Sequence, residues 1–202
     1  AKRLQIWTMV KYLYLKNQKV KVNKDYITVY DNIIDSKKCD DLIKFFEDNK
    51  KYSYKDNQIH RSFQSLEMKK FPKVENEVID LLQPYIIKYK KDNNISDDVW
   101  PADAVMENAK IKKYLPNDID RFETHADATT AGTVSRFLVM FIYLTDNDSG
   151  YTSFPTRDIR IQPKKGRLLM FPPNWCYPHA GEKVTDKPKY IIGTYCRYML
   201  DN

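Results

Sequence analysis

The second half of the chain is divided into short apolar segments by turn-forming residues, and this pattern restricts the possible folds most strongly. Residues 137–144 form a continuous apolar run, which is typical of a buried strand. Turn sequences such as residues 146–150 and 163–166 separate such segments. The further strand candidates are residues 109–114, 159–162, 167–171 and 189–198. Short strands between turns are typical of β-sandwiches and barrels, so we predict a β-rich C-terminal half.

The first half of the chain has helical as well as strand patterning. Residues 17–30 alternate apolar and polar side chains, which predicts strand structure. Asp35 offers an N-cap to a predicted helix from Ser36 to Asp48, and a second helix is predicted over residues 74–89. The polar, basic residues 49–72 predict a long loop or a hairpin, and long loops are uncommon unless they have a function. Helices followed by strands predict an α+β fold.

Length and charge favour one globular domain. A chain of 202 residues can bury a sizeable core, and no linker-like segment divides it. The net charge of +7 can attract nucleic acid or acidic peptides. Because the basic residues are spread along the chain, we interpret this charge mainly as a source of solubility and weak steering.

The cysteines and the N-terminus favour a soluble intracellular protein. Cys39, Cys176 and Cys196 are too scattered for a disulfide framework, and the absence of a CxxC pair disfavours structural zinc. Lys11 interrupts the apolar run within residues 1–16, so this segment is a poor signal peptide and too short to cross a bilayer. We expect a cytoplasmic protein without a membrane partner. The abundance of Lys, Asn, Ile and Tyr favours an AT-rich microbial or viral genome, and a viral protein would act in its host's cytoplasm.

Two of the three histidines indicate a metal site. His125 and Asp127 are two residues apart, so in an extended strand their side chains would point to the same face. His179, arriving from a distant strand, would complete two imidazoles and one carboxylate, a set that suits non-haem Fe(II) and leaves coordination positions open. A His-x-Asp tripeptide alone is usually not a metal site, so the interpretation depends on the surrounding motifs. His60 lies in a polar loop and is expected to be a surface residue.

The surrounding motifs resemble the 2-oxoglutarate- and Fe(II)-dependent dioxygenases, specifically their prolyl 4-hydroxylase-like branch. The matching segments are, in order, Lys110–Pro116, His125-Ala-Asp127, Tyr143–Asp146 with Gly150–Pro155, Pro163–Phe171, and His179 with Lys189. Residues 32–43 resemble the segment that opens the family's first helix, so the likeness covers residues 26–200. It implies an α+β fold with a double-stranded β-helix (jelly-roll) core over residues 105–200 and supporting N-terminal helices over residues 33–92. The jelly-roll core and the supporting helices would together form a single domain over residues 1–202.

The resemblance also implies a ligand set. His125, Asp127 and His179 would hold Fe(II) and carry the catalysis, with 2-oxoglutarate and O2 at the remaining positions. The remote carboxylate of 2-oxoglutarate needs a cation inside a partly dry barrel, because an unpaired charge there would be costly. Lys189 is the candidate. The competing lysines, each of which could simply be a solvated surface residue, are Lys113, Lys183 and Lys187.

Three hydroxyl residues complete the expected cosubstrate site. Tyr114 and Thr152 fall where the family places hydroxyls near the remote carboxylate, and Tyr143 is a further candidate. The alternative for each is an ordinary buried residue, since buried hydroxyls need a partner but not a particular one. Trp175 and Tyr177, just before His179, would either wall the site or pack in the core.

Three further residues are candidates for substrate binding. Arg61 lies near the position of an arginine in the family's substrate-covering loop, although it could be a charged loop tip. Tyr195 and Arg197 stand where prolyl hydroxylases usually carry a tryptophan and often a histidine. This departure leaves the iron and cosubstrate residues unchanged but weakens the assignment of a peptidyl-proline substrate.

The function predicted from these features is that of an enzyme, an Fe(II)- and 2-oxoglutarate-dependent dioxygenase. It would hydroxylate proline in a peptide or protein, release succinate and CO2, and use ascorbate as an additional cofactor. A nucleic-acid oxidative demethylase would suit the positive charge, but the Arg-x-Asn-x-Thr-x-Arg run expected after the distal histidine is missing. A catalytically inactive jelly-roll binding module is the third hypothesis, and the retention of all three ligands argues against it.

Overall fold

The computed structural model describes residues 20–199, and side chains from residue 23 onward. Our expectations for residues 1–19, including the N-terminal apolar run, lie outside the described residues. The helices are α1 (Ser36–Asp48) and α2 (Pro72–Asp92). The strands are β1 (Val20–Lys24), β2 (Ile27–Tyr30), β3 (Tyr54–Gln58), β4 (Arg61–Glu67), β5 (Ala104–Met106), β6 (Lys110–Tyr114), β7 (Arg121–His125), β8 (Arg136–Tyr143), β9 (Thr152–Phe154), β10 (Ile159–Ile161), β11 (Arg167–Phe171), β12 (His179–Gly181) and β13 (Lys189–Tyr198).

All the strands join one curled antiparallel sheet. Its hydrogen-bonded order is β1-β2-β11-β8-β13-β6-β4-β7-β12-β9-β10, with β3 beside β4 and β5 beside β13. The turning point is β4, because its residues 64–67 pair with β6 while Arg61 and Ser62 pair with β7. The predicted α+β class, with a double-stranded β-helix core and supporting helices, is confirmed.

The long apolar strand β8 separates two hydrophobic clusters. Successive strand side chains point to opposite faces, so a strand that is buried on both faces reads as a continuous apolar run. Leu138, Met140 and Ile142 pack toward the helices. The alternating residues of the same strand, which pack inside the jelly roll, are Val139, Phe141 and Tyr143.

The helices cover the outer face of this sheet. Helix α1 has the predicted bounds, and the Asp35 side chain accepts a hydrogen bond from the Lys38 backbone amide (2.7 Å) as an N-cap. Helix α2 is longer than predicted, because Pro72 sits at its first turn, where a missing N–H costs nothing. Buried Glu75 accepts a hydrogen bond from the Ala109 amide (2.9 Å) and thereby ties α2 to the start of β6. Neither described helix is long and apolar enough to cross a membrane.

The N-terminal strand prediction missed a turn. Residues 20–30 form a β1–β2 hairpin, in which both turn residues, Asp25 and Tyr26, have positive φ (51° and 65°). Positive φ at both positions is characteristic of a type I′ hairpin turn, which sequences usually announce with Asn-Gly or Asp-Gly. Residues 49–72 contain the β3–β4 hairpin, so the hairpin alternative is correct.

The strands predicted in the C-terminal half are confirmed, and each bound agrees with the prediction or differs from it by one residue. Strands β5, β7, β9 and β12 were not predicted from the periodicity. They are three to five residues long and carry few fully buried side chains, so they lack a clear apolar pattern.

Candidate metal and cosubstrate site

Two neighbouring strands bring the predicted triad together. His125 ends β7 and His179 begins β12, and the two residues stand directly opposite each other in the antiparallel register. Asp127 Oδ1 lies 3.4 Å from His125 Nε2, and Asp127 Oδ2 lies 3.3 Å from His179 Nε2. One ligand atom from each residue falls within 4.8 Å of the others, a spacing that could hold a metal ion.

The local geometry differs from the simple strand argument. Asp127 lies in a bend beyond the end of β7, so it does not share one extended strand with His125. Its backbone amide donates to the Pro173 carbonyl (2.9 Å), which fixes the bend. The expectation of one extended segment is therefore wrong, although both side chains reach the same place.

The hydrogen bonds prepare the triad for a cation. His125 Nδ1 lies 2.8 Å from the Glu123 carbonyl and His179 Nδ1 lies 3.1 Å from the Tyr177 carbonyl. A carbonyl can only accept, so each Nδ1 is the protonated donor and each Nε2 lone pair faces the cluster. Asp127 Oδ2 and His179 Nε2 are buried without a hydrogen-bond partner among the described residues. Buried polar atoms normally have partners, so this arrangement fits a bound metal ion.

The protonation states also suit a metal. Burial lowers the pKa of His125, which favours the neutral imidazole. Burial alone would raise the pKa of Asp127, but the two adjacent imidazoles hold it well below its usual range. Neutral imidazoles and an ionised carboxylate are the forms that bind metals.

Two residues from other strands support the carboxylate. The Tyr195 hydroxyl donates to Asp127 Oδ1 (3.1 Å), and the Arg136 guanidinium stacks 3.9 Å from the Tyr195 ring centroid. Arg136 also forms a bidentate pair with Glu107 (2.8 and 2.7 Å). Our sequence reasoning considered Tyr195 only for substrate binding and missed Arg136 and Glu107. Their proximity depends on strand register and has no local sequence signal.

Lys189 lies at the other end of the site. Its side chain is 1% exposed, and its ammonium donates to the Gly150 carbonyl (2.7 Å) above the Tyr114 ring, 4.5 Å from the centroid. No carboxylate of residues 23–199 forms an ion pair with it, and burial lowers its pKa to about 7. Of the competing lysines, Lys113 pairs with Glu47, whereas Lys183 and Lys187 are exposed.

A narrow cavity connects the triad with Lys189. Its volume is about 20 Å³, and Tyr114 and Thr152 contribute to its wall. The buried Tyr143 hydroxyl donates to Thr152 Oγ1 (2.6 Å), which leaves the Thr152 proton available to another acceptor. The predicted hydroxyl residues therefore lie together, with Tyr143 acting on the cavity through Thr152.

A cleft of about 790 Å³ adjoins this cavity, and Phe122, His125 and Asp127 line both. Arg61 lines this cleft, where it pairs with Asp56 (3.0 Å) and lies 5.4 Å from the Phe122 ring centroid. Tyr195 and Arg197 line it as well, and Lys112 borders both cavity and cleft. Burial lowers the pKa of Lys112 to about 8, and sequence reasoning missed this lysine.

The remaining predicted residues lie nearer the periphery. His60 is largely exposed and pairs with Glu123 (2.9 Å), which confirms that it is a surface residue. Trp175 is 79% exposed and therefore does not pack in the core, whereas Tyr177 is buried beneath the Arg157 guanidinium (4.2 Å from the ring centroid).

The family comparison agrees with this geometry. The model of the 2OG-Fe(II) oxygenase superfamily matches residues 109–197, a range that contains the triad and Lys189. The superfamily resemblance and the predicted cofactor set of Fe(II), 2-oxoglutarate and O2 are thereby confirmed. Ascorbate stays a prediction. No curated protein matches the chain.

Solved structures share the fold. A viral collagen prolyl hydroxylase from Paramecium Bursaria Chlorella virus-1, in complex with 2OG, has a TM-score of 0.66 at 21% identity, over 86% of this chain and 97% of that one. A Trichoplax adhaerens prolyl hydroxylase, in complex with a hypoxia inducible factor peptide fragment, has a TM-score of 0.68 at 12% identity, over 98% and 93%. A Pseudomonas putida prolyl-4-hydroxylase has a TM-score of 0.63 at 11% identity, over 96% and 100%.

Proposed function

We propose that this protein, whose residues 109–197 match the model of the 2OG-Fe(II) oxygenase superfamily, hydroxylates proline in a peptide or protein and releases succinate and CO2. One observation carries the proposal. A cluster of buried ligand atoms without partners is connected by a narrow cavity to a buried lysine without a counter-ion. These are the two attachments that a metal-chelating dicarboxylate requires.

In this proposal, His125, Asp127 and His179 hold the iron through Nε2, a carboxylate oxygen and Nε2. Bound Fe(II), with O2 and 2-oxoglutarate, supplies the oxidising power that inserts oxygen into a C–H bond. The backbone carbonyls of Glu123 and Tyr177 fix both imidazole tautomers. The Tyr195 hydroxyl holds the Asp127 side chain in its ligating orientation through a hydrogen bond, and the Arg136 guanidinium stacked on the Tyr195 ring fixes that tyrosine.

Lys189 binds the remote carboxylate of 2-oxoglutarate. Its ammonium already has one neutral acceptor, the Gly150 carbonyl, and a carboxylate would supply the missing counter-charge. Thr152 has a free hydroxyl proton that can be donated to the same carboxylate, and Tyr114 borders the same space. Charge-assisted hydrogen bonds of this kind are stronger than neutral ones, so they fix the cosubstrate's orientation.

The cleft favours a peptide as the substrate. It has room for a chain segment, and Arg61, Tyr195 and Arg197 line it close to the triad. All three structural neighbours described above are named as prolyl hydroxylases, one of them for collagen and another with a peptide bound. These similarities support proline as the target residue.

The test separates iron binding from turnover. Purified protein is titrated anaerobically with Fe(II), and succinate formation is then measured aerobically with 2-oxoglutarate and proline-containing peptides. We expect Asp127→Ala and His179→Ala to lose iron binding and succinate formation, because each removes one of three ligands. His60→Ala, the remaining histidine, should bind iron as the wild type does.

Two results would contradict the proposal. A wild-type protein that neither binds Fe(II) nor converts 2-oxoglutarate would exclude the dioxygenase. Hydroxylation stimulated by methylated oligonucleotides but by no peptide would assign the oxygenase to the nucleic-acid class instead.

A further inference from the structure

The charges in the substrate cleft are almost all compensated. Arg61 pairs with Asp56 and Arg136 pairs with Glu107, while Lys69 and Lys110 both pair with Glu67. Asp127 is the proposed iron ligand. Among the described residues that line the cleft, this leaves two cations without an acidic partner, Lys112 and Arg197.

Lys112 is the deeper of the two. It lies on β6 between Lys110 and Tyr114 on the inner face and is only partly exposed. Its ammonium lies 5.0 Å from the Phe63 ring centroid and 5.8 Å from that of Phe141. Within residues 23–199 it has no hydrogen bond or ion pair. The carboxylate that attracts it, Asp127, is the proposed iron ligand and would be neutralised by the metal. An ammonium in such surroundings has lost part of its hydration without gaining a counter-ion, which is costly.

Arg197 lies at the far end of the same surface. It stands opposite Arg136 in the β13–β8 register, so its strand neighbour carries the same charge. No ion pair with any described carboxylate involves it. Lys112 is opposite Ile191, and six residues along β13 correspond to about 20 Å between the two cations. Tyr195, which contacts Asp127, lies between Ile191 and Arg197 on β13. The proposed iron site is therefore located between the two cations.

We propose that the cleft selects an acidic peptide, in which carboxylate side chains on both sides of the hydroxylated residue bind Lys112 and Arg197. This inference rests on the proposed function and names the substrate class of that same site. An extended peptide advances about 3.3 Å per residue, so about six residues span the two cations. The net charge of +7 would also steer an acidic partner toward the protein.

Two other anions fit the arrangement less well. The two carboxylates of 2-oxoglutarate already have partners in the proposed iron and in Lys189, so they leave Lys112 unassigned. A nucleic acid would require a continuous row of free cations along its backbone. Here the two free cations are far apart, and the intervening basic residues are paired with acidic ones.

The test measures peptide binding without turnover. The full chain is loaded anaerobically with Fe(II) and 2-oxoglutarate and titrated into fluorescein-labelled decapeptides with a central proline. One peptide carries glutamates on both sides of the proline, and its twin carries glutamines at the same positions. Fluorescence anisotropy then gives the two dissociation constants. We expect the acidic peptide to bind at least about tenfold more tightly, as charge-assisted contacts predict.

Variants assign that preference to residues. Lys112→Met and Arg197→Met should each reduce the preference severalfold, and the double variant should remove it. Lys112→Arg should keep it, because the charge remains. Lys113→Met is the matched control, since this neighbouring lysine faces the other side of β6 and pairs with Glu47. It should bind both peptides as the wild type does.

Four outcomes would overturn the inference. Equal affinity of the wild type for both peptides would exclude acidic selection, even if variants fail to fold. If the double variant kept the full preference for the acidic peptide, residues other than Lys112 and Arg197 would be responsible for it. Weaker 2-oxoglutarate binding by Lys112→Met, with the peptide ratio unchanged, would assign Lys112 to the cosubstrate. A single-stranded oligonucleotide that displaces the acidic peptide stoichiometrically would indicate a nucleic-acid cleft. In each case, succinate formation by the wild type shows separately whether the proposed function holds.

Discussion

Lys189 carries a charge whose presence depends on pH within the physiological range. Burial lowers its pKa to about 7 when the cavity contains no counter-ion, so the ammonium is present well below pH 7 and is lost as the pH rises through 7. The proposed carboxylate ligand binds only the charged form. Binding above pH 7 must therefore take up a proton, and the cosubstrate affinity becomes linked to pH.

We predict that the dissociation constant for 2-oxoglutarate is nearly constant below pH 6 and rises by about tenfold per pH unit well above pH 7. Anaerobic titration calorimetry of the Fe(II)-loaded protein, repeated in buffers of different ionisation enthalpy, measures both affinity and proton uptake. Lys189→Arg should bind without this pH dependence, because guanidinium does not deprotonate. An affinity that is flat up to pH 9 in the wild type would contradict the proposed role of Lys189.

Gly150 shapes the wall beside this lysine. Its φ is +66°, and a Cβ added there would lie 2.7 Å from Val184 Cγ2 and 3.3 Å from Lys189 Nζ. We predict that Gly150→Ala lowers the free energy of unfolding by about 1–3 kcal/mol and weakens 2-oxoglutarate binding, because both backbone and packing are strained. Urea unfolding and calorimetry measure the two effects. Gly132→Ala is the control, since nothing lies within 4 Å of its Cβ, and an equal loss there would refute the argument.

One buried carboxylate, that of Glu75, joins helix α2 to the start of β6. Glu75→Ala would leave the Ala109 amide without its acceptor at the start of β6. We predict a loss of about 1–3 kcal/mol in the free energy of unfolding, the usual cost of a buried unsatisfied donor. Glu77→Ala on the same helix removes only an exposed ion pair with Lys38 and should cost clearly less, because solvent screens such pairs. Similar losses for both variants in urea unfolding would show that Glu75 does not anchor the helix.

Elements with strong periodic burial were predictable from the sequence, and those lining the polar cleft were not. Strand β8 is apolar from Phe137 onward because both its faces are covered there, whereas β7 and β12 carry polar side chains toward the site. His125, His179 and Lys189 were found because motif spacing marks them. Lys112 and Arg136 acquire their positions from strand register across the sheet, and register depends on pairing partners that no local pattern specifies.

The two hydrophobic clusters share strands, which bears on the number of domains. Strands β8, β11 and β13 each place alternate side chains in the helix-side cluster and in the jelly-roll interior. Separating the helical part from the barrel would therefore expose one face of all three strands. On this ground we propose that the chain is a single domain.

We predict one cooperative unfolding transition for the whole molecule. Near-ultraviolet and far-ultraviolet circular dichroism should give the same urea midpoint, because neither cluster can persist alone. A fragment of residues 105–202, which lacks both helices, should be unfolded or expose apolar surface to dyes. Two separate midpoints, or a fragment with native near-ultraviolet signals, would contradict the single-domain proposal.

The opposed pairing of His125 and His179 has a consequence for how the protein is made. The two histidines are distant in sequence and meet only when β7 and β12 pair, so the proposed iron site does not exist in a partly synthesised chain. The ribosome must release the segment containing β12 before the third ligand can arrive. Iron loading at the proposed site would therefore follow the pairing of β7 with β12, and an iron-loaded molecule would be one in which these two strands have already joined.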